Sequence, residues 1–160
     1  MCSRRFIYAP AGICAVYQDT IKNGASLKEM YYIHTDYLGW WLAITDDTVS
    51  LTNRFSYDAW GRPRDPITWK LKTINITSAL VNLNEMQPGF DMGYTGHEQM
   101  AGFGLINMNG RLYDSYLQRF LSPDNEIQDP MNTRNYNCYA YCLNNPLRYT
   151  DLSGFAYDDP

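Results

Sequence analysis

The stretch DYLGWWLAITDDTVSLTNRFSYDAWGRPR, residues 36–64, predicts the fold. Aromatic and β-branched residues cluster at 40–45 and again at 51–57, which is typical of strands. Asp and Gly, the residues that favour tight turns, lie between and beside these clusters. Turn signals recur roughly every 8–12 residues, the spacing of an antiparallel meander. We therefore expect a mainly β protein built from short hairpins.

The composition of the whole chain supports the same fold class. The 160 residues include 14 Tyr, 13 Asn, 13 Asp and 11 Gly, but only four Glu and four Lys. Turn formers are therefore abundant, while the residues that usually cover surface helices are scarce. With 45% hydrophobic and 19% charged residues, the chain also differs from disordered proteins. At most one or two short helices are expected, one of them over residues 78–85.

Charge and hydropathy argue against several classes of protein. The net charge is −4 and no basic cluster occurs, which is unlike a nucleic-acid-binding protein. No apolar run is long enough for a transmembrane helix. Pro10 interrupts the weakly apolar N-terminal stretch, so no secretion signal is predicted.

The cysteines and histidines predict neither disulfides nor a metal site. No Cys-x-x-Cys pair occurs, and four cysteines are too few for a disulfide framework, so we expect free thiols. Two distant histidines cannot supply the three or four converging ligands that a metal ion needs. No cofactor is expected. The residues concerned are Cys2, Cys14, Cys138, Cys142, His34 and His97.

A short internal repeat occurs in both halves of the chain. Residues 57–62 are YDAWGR, and residues 110–114 are GRLYD, which contains the same elements in another order. In such a unit the aromatic residue anchors a strand, Asp caps a turn, Gly makes a bend, and Arg can reach a carboxylate or a tyrosine ring. The repeat residues are Tyr57, Asp58, Gly61, Arg62, Gly110, Arg111, Tyr113 and Asp114.

Longer strings extend this pattern over residues 30–155. They are YYIHTDYLG at 31–39, YDAWGR at 57–62, YTGHE at 94–98, GLINMNGRLYD at 104–114, RFLSPD at 119–124 and NNPLRYTDLSG at 144–154. In these strings and their order the chain resembles the RHS repeat-associated core domain of the RHS, or YD-repeat, family. The residues of these strings are most similar to those of members from Bacteroidetes.

The resemblance implies a β-sheet ribbon that spirals into a hollow shell, with the core domain closing one end. In polymorphic toxins of this family, which are secreted or at the cell surface, a variable C-terminal polypeptide lies inside. Residues 1–92 would then be a partial YD-repeat segment, 93–155 the RHS core, and 156–160 a residual tail without a toxin domain. We therefore expect a structural core segment of a truncated member, whose partner is the remaining shell of a parent protein. The last residues, 155–160, have no pairing pattern and are expected to fray.

The resemblance also implies an alternative function, because several members are intramolecular aspartyl proteases. Their cut falls just after the second of two Asp-Pro-x-Gly motifs, which align here with Asp124-Asn-Glu-Ile and Asp151-Leu-Ser-Gly. Arg148 precedes the second motif, and the cut would fall next to Phe155. Two close carboxylates share a proton, so one can act as base and the other as acid. Both prolines and the first glycine are replaced in this chain, which loosens that geometry, and the competing interpretation is that both aspartates are turn residues.

The tryptophans suggest a third hypothesis, a carbohydrate-binding module of a surface adhesin. Exposed indole rings could form a platform for a sugar, although at strand spacing such residues more often pack in a core. The tryptophans are Trp40, Trp41, Trp60 and Trp69.

Overall fold

The computed structural model describes residues 2–10, 12–22, 25–72, 91–100 and 103–159, and its regular structure is almost entirely antiparallel β-sheet. The first sheet is a meander in which each strand pairs with the next along the chain. This confirms the predicted fold class. An Asn-Gly pair at residues 23 and 24 favours a two-residue hairpin turn, but these residues lie outside those described. The strands are β1 Cys2–Ala9, β2 Gly12–Lys22, β3 Ala25–Thr35, β4 Trp41–Asp46 and β5 Leu51–Arg54.

One face of the first sheet forms a small apolar core. Val16 pairs with Tyr31 across β2 and β3, and Ile33 pairs with Ile44 across β3 and β4. Because side chains alternate between the two faces of a strand, these four lie on the same face. Together with Trp41 they are buried. The pairing register of the sheet thus follows the apolar pattern.

The second sheet contains four very short strands, also in sequence order. The sequence predicts a strand, a turn and a strand over residues 103–114, and the structure confirms this with Asn109 in the turn at φ +63°. Asn accepts this left-handed conformation more readily than most residues. The strands are β6 Glu98–Met100, β7 Leu105–Asn107, β8 Leu112–Asp114 and β9 Arg119–Phe120.

A core of aromatic rings joins the two sheets. It includes Trp40 from the first half of the chain and Tyr94, Tyr113 and Tyr141 from the second. Ring centroids of Trp40 and Tyr94 are 4.9 Å apart, and those of Tyr113 and Tyr141 are 4.8 Å apart. Two of these three tyrosine hydroxyls also reach the YDAWGR turn, since Tyr94 donates to the Ala59 carbonyl at 2.8 Å and Tyr113 donates to the Trp60 carbonyl at 3.1 Å. Buried tyrosines need such partners, so these bonds position the turn.

The helices of the described chain are three short 3-10 turns, Tyr94–Gly96, Thr133–Tyr136 and Cys142–Asn144. The expected helix at 78–85 lies outside the described residues. Residues 69–77 alternate large and polar side chains, which predicts a half-buried strand, but only 69–72 are described. In that part Trp69 has φ +61° and is exposed, and Leu71 makes a single bridge to Arg64. No described helix has the length and apolar character needed to cross a membrane.

The C-terminal residues pack against the rest of the chain, which corrects the expectation that they fray. Thr150 and Asp158 exchange two backbone hydrogen bonds, at 3.0 and 2.7 Å. The ring of Tyr157 packs on Tyr149 with centroids 5.2 Å apart. The pairing involves residues that are close in sequence but separated by a loop, a pattern that strand periodicity does not reveal.

Candidate functional site

Arg111 lies at the centre of the most buried cluster of charges in the described chain. Only 4% of its side chain is exposed. Its Nη2 is 2.9 Å from Oδ2 of Asp124 and 3.7 Å from Oδ2 of Asp151. The two aspartates named from the sequence as a possible catalytic pair therefore meet at one guanidinium group. Charge-assisted contacts of this kind are among the stronger polar interactions in proteins.

The other donors of Arg111 bind backbone carbonyls. Nε donates to the Gly154 carbonyl, and Nη1 donates to the Cys138 carbonyl at 3.1 Å. The guanidinium carbon also lies 3.7 Å from the centroid of the Phe120 ring. One side chain thus connects β9, the loop around residue 138 and the loop at 151–154. Such a set of contacts uses the planar, multi-donor geometry that distinguishes Arg from Lys.

A tight loop places Asp151 beside Arg111. Oδ1 of Asp151 accepts hydrogen bonds from the Gly154 amide at 2.7 Å and from the Ser153 hydroxyl at 3.2 Å. Gly154 has φ +78°, and a Cβ there would collide with the carbonyl oxygen of Met108. The Gly110 amide donates to the Ser153 carbonyl at 2.9 Å. The 151–154 loop therefore lies directly against the β7–β8 hairpin, and only glycine fits at this position.

Asp124 is fixed by its own turn. Its Oδ1 accepts the Glu126 amide at 3.0 Å, while its backbone amide donates to the Cys138 carbonyl at 2.8 Å. Both aspartates thus cap turns through Oδ1 and contact Arg111 through Oδ2. The turn interpretation from the sequence therefore concerns Oδ1 of each carboxylate, and the protease interpretation concerns Oδ2.

Burial dominates the electrostatics of this cluster. It lowers the pKa of Arg111, although the nearby carboxylates act in the opposite direction. It also raises the pKa of Asp151, in spite of the hydrogen bonds from Gly154 and Ser153 and the charge of Arg111. Removal from water disfavours the charged form of either group. Asp151 therefore takes up a proton more readily than an exposed aspartate does.

A cavity of about 30 Å³ adjoins the cluster and is bordered by Arg111, Asp124, Asp151 and Phe155. This volume is large enough to hold at least one water molecule. Cys142 borders the same cavity, and burial raises the pKa of its thiol. A thiol in that state is a poor nucleophile, because the thiolate is the reactive form. The groups able to act on a water here are carboxylates, those of Asp124, Asp151 and Glu126, of which the first two contact Arg111.

Arg148 lies away from this cluster. Its Nη2 is 3.6 Å from Oδ2 of Asp159, and 61% of its side chain is exposed. The cation beside Asp124 and Asp151 is instead Arg111, which the sequence placed only in the repeat motif. One signal for its position exists in the sequence, since Arg111 and the buried Tyr113 are two residues apart and strand alternation puts them on the same face.

The remaining repeat residues build turns and the core. Oδ1 of Asp58 accepts the amides of Trp60 and Arg62 at 3.0 and 2.9 Å, and its Oδ2 pairs with the Arg62 side chain at 2.6 Å. Gly61, at φ +85°, packs its backbone against the Tyr94 ring.

Asp114 caps its own turn in the same way as Asp58. Tyr57 and Tyr113 are buried, and Gly110 lies against the ring of Phe155.

The four cysteines are free, as the sequence predicts. Within the described residues no group of three or more His, Cys, Asp or Glu side chains is placed to hold a metal ion. His34 shares a hydrogen bond with Thr45, and the buried His97 shares one with Thr95.

Of the tryptophans, Trp40 and Trp41 are buried in the cores, Trp60 is half-buried, and Trp69 is exposed beneath Arg64.

Comparisons with known proteins show distant similarity to short parts of much larger proteins. No family model matches the chain. The tRNA nuclease WapA of Bacillus subtilis strain 168 is 29% identical over 124 residues, which are 78% of this chain and 5% of that protein. The tRNA3(Ser)-specific nuclease WapA of Bacillus spizizenii is 26% identical over 152 residues, 95% of this chain and 6% of that protein.

Solved structures with the same fold come from toxin complexes. TcdB2-TccC3 without its hypervariable C-terminal region superposes with a TM-score of 0.59 at 16% identity, covering 96% of this chain and 7% of that chain. The Tc holotoxin pore of Photorhabdus luminescens gives a TM-score of 0.56 at 17% identity, covering 99% of this chain and 8% of that chain. The chain therefore has an RHS-like β fold and spans about 5–8% of the length of these proteins.

Proposed function

We propose that the chain is a structural core segment of an RHS protein of the polymorphic-toxin type, closing part of a β-sheet shell around a variable C-terminal polypeptide. The observation that carries this proposal is the fold shared with TcdB2-TccC3 over 96% of the chain. That protein is described as having a hypervariable C-terminal region, and the curated relatives are nucleases. In this proposal residues 1–92 are the last part of the repeat segment, 93–155 are the core, and the parent protein is secreted or at the cell surface.

The arrangement of the cluster around Arg111 suits a closing segment. It fixes the C-terminal loop at 151–154 against the β7–β8 hairpin through one buried side chain. At the other end of the chain, β1 has a neighbour on one side only within the described sheet. An unpaired strand edge of this kind offers backbone donors and acceptors to a further strand. The shell of a parent protein would supply that strand.

Hydrogen exchange of the longest natural polypeptide that contains this sequence tests the proposal. If upstream repeats continue the sheet, amides of β1 should exchange at least about tenfold more slowly than in the isolated chain, because opening must first break new backbone bonds. Strand β4, which has neighbours on both sides in the isolated chain, is the internal control. Equal exchange of β1 in both proteins, or the absence of upstream YD repeats, would overturn the proposal.

A second candidate function, self-cleavage between Gly154 and Phe155, is supported by the contact of Arg111 with the Gly154 carbonyl. This carbonyl belongs to the peptide bond at which the resemblance places the cut. A water between the carboxylates would lose a proton to the ionised aspartate and attack the Gly154 carbonyl carbon. The protonated aspartate, for which Asp151 is suited by its raised pKa, would give its proton to the departing nitrogen of Phe155. Arg111 would stabilise the negative charge that develops on the Gly154 oxygen.

The intact mass of the purified chain tests this second function separately from the first. Cleavage would remove residues 155–160, and it should be fastest under mildly acidic conditions, where Asp151 holds its proton. Asp151→Asn and Asp124→Asn should each abolish it. Asp129→Asn is the matched control, because Asp129 also caps a turn but lies away from Arg111. A full-length mass after long incubation from acidic to neutral pH would exclude self-cleavage and leave the structural function untouched.

A further inference from the structure

A groove of about 1030 Å³ is lined by residues of the first sheet and by residues from Asp91 onward. Its volume is at the upper end of the range for small-molecule pockets. One wall comes from β1 and the start of β2, with Phe6, Tyr8 and Ile13. The opposite wall comes from 95–98 and from the C-terminal loop around Leu152. The functions proposed above use the backbone edge of β1 and the loop at 151–154, whereas this inference uses the side chains that line the groove.

The apolar wall is the uncovered end of the first sheet's core face. Over β2 and β4 this face is sealed, since Val16 and Ile44 are fully buried. Phe6 pairs with Val16 and shares its face, yet the Phe6 ring is partly exposed. Nearby, 71% of Tyr8 and 69% of Tyr37 are exposed. The groove therefore offers aromatic surface to solvent at the edge of a packed core, which is typical of binding surfaces.

The charged side chains that line the groove all have the same sign. They are the carboxylates of Asp36, Asp91, Glu98 and Asp158, and no Lys or Arg lines the groove among the described residues. His97 also lines it, but burial lowers the pKa of its imidazole, so it adds no positive charge at neutral pH. A cleft lined by one sign of charge concentrates ligands of the opposite sign.

A buried hydroxyl with unused hydrogen-bonding capacity also borders the groove. Thr150 is only 5% exposed, and its Oγ1 has no partner among the described residues. Buried polar atoms in native proteins nearly always have a partner, so each exception calls for an explanation. Because Oγ1 is itself buried, a ligand in the groove does not reach it in this structure, and the inference does not depend on this hydroxyl.

We propose that this groove binds an extended peptide in which Lys or Arg residues alternate with apolar residues. The basic ends would meet the carboxylates, and the apolar side chains and the aliphatic stems of Lys or Arg would lie on Phe6, Tyr8 and Tyr37. Strands β1 and β2 contribute to the lining, which suits an extended segment better than a compact molecule. This inference goes beyond the proposed function and does not require self-cleavage.

Fluorescence anisotropy with the full chain tests the inference. The probe is a labelled eight-residue peptide that alternates Lys with Leu, compared with the same peptide carrying Gln or Glu in place of Lys. The Lys peptide should bind saturably, and the Gln peptide at least about tenfold more weakly, since a few exposed ion pairs together contribute about 1–2 kcal/mol. Binding of the Lys peptide should weaken further as salt is raised.

Variants locate the binding site. The double variant Asp91→Asn, Glu98→Gln should weaken binding of the Lys peptide about five- to tenfold. The control double variant Asp47→Asn, Glu126→Gln removes the same charge from exposed positions outside the groove. It should change the affinity for the Lys peptide less than twofold. Tyr8→Ala should also weaken binding, and it leaves the charge unchanged. Equal binding of the Lys and Glu peptides, equal effects of the two charge variants, or no saturable binding would each overturn the inference.

Discussion

The side chain of Arg111 contacts two carboxylates, two carbonyl groups and an aromatic ring while being almost entirely buried. Arg111→Met keeps a similar apolar volume but leaves both carboxylates without a cation. Removing one partner from a buried ionic network costs about 3–5 kcal/mol, because the remaining charges stay away from water. We therefore expect the free energy of unfolding in guanidinium chloride to fall by about this amount.

Two further variants separate this effect from a general loss of charge. Arg119 is exposed, and Arg119→Met should change the free energy of unfolding by less than about 0.5 kcal/mol. Asp151→Asn, introduced together with Arg111→Met, should restore part of the lost stability because it removes one of the uncompensated charges. A cost for Arg111→Met as small as that of the control would mean that the network does not stabilise the fold.

Asp151 gives the stability a specific pH dependence. Burial raises its pKa above the ordinary value of 3.8, so the folded state binds a proton more tightly than the unfolded state. Its contribution is then fully present below the unfolded pKa and is lost as the pH rises through the folded pKa. The difference in unfolding free energy between the wild type and Asp151→Asn should therefore decrease as the pH rises from below 3.8. A difference that grows with pH would mean that attraction by Arg111 outweighs burial.

The sequence identifies the aspartates of the cluster but not their cation. Asp124 and Asp151 stand in recognisable motifs, and each motif is local. Arg148 is adjacent to the second motif in sequence, yet it pairs with Asp159. Arg111 and Gly154 are 43 residues apart, and the hairpin packing that brings them together depends on the whole aromatic core. Proximity in sequence is a poor guide to the partner of a buried charge.

Among the structural elements, the 151–154 loop depends most on close backbone packing. Gly154→Ala would place a Cβ against the Met108 carbonyl oxygen and 2.9 Å from the Gly110 amide, both of them backbone atoms that cannot move aside. Gly12→Ala is the matched control, because Gly12 also has a positive φ, of +112°, but open space around it. We expect Gly12→Ala to cost about 1 kcal/mol from conformational strain and Gly154→Ala clearly more. Thermal unfolding of both variants measures the difference, and equal costs would show that the close approach is unimportant.

The elements that the sequence predicts best are those with local signals. The β7–β8 hairpin follows from alternating apolar residues around an Asn-Gly turn, and β4 follows from its aromatic and β-branched residues. The 3-10 turn at Cys142–Asn144 has no such signal, since all three residues have positive φ although none is glycine. Packing of the buried Tyr141 ring on Tyr94 and Tyr113 is the tertiary constraint next to this turn. Strained conformations of this kind persist only when the surrounding structure fixes them.

On the scale of the whole molecule, the repeat strings account for how the two halves fit together. The YDAWGR turn belongs to the first half, and the tyrosines that hold it belong to the second. Composition alone predicts many turns. The family resemblance predicts that these turns belong to a β-sheet shell. The solved structure of TcdB2-TccC3 shares the β fold of the chain. The groove beside β1 could not be predicted, because its lining comes from segments far apart in the sequence, the first sheet and the chain from Asp91 onward.

The open edge of β1 determines how the isolated chain behaves in solution. β1 is an edge strand that exposes Ile7 and Tyr8, and unpaired edges of this kind join other strands. We expect the apparent mass in size-exclusion chromatography with light scattering to increase with protein concentration. Ile7→Lys should reduce this association, because a charged side chain on an edge strand disfavours pairing with another chain. Leu147→Lys adds the same charge at an exposed position outside both sheets and should have little effect. A monomeric mass at all concentrations, or equal effects of the two variants, would show that the β1 edge does not drive association.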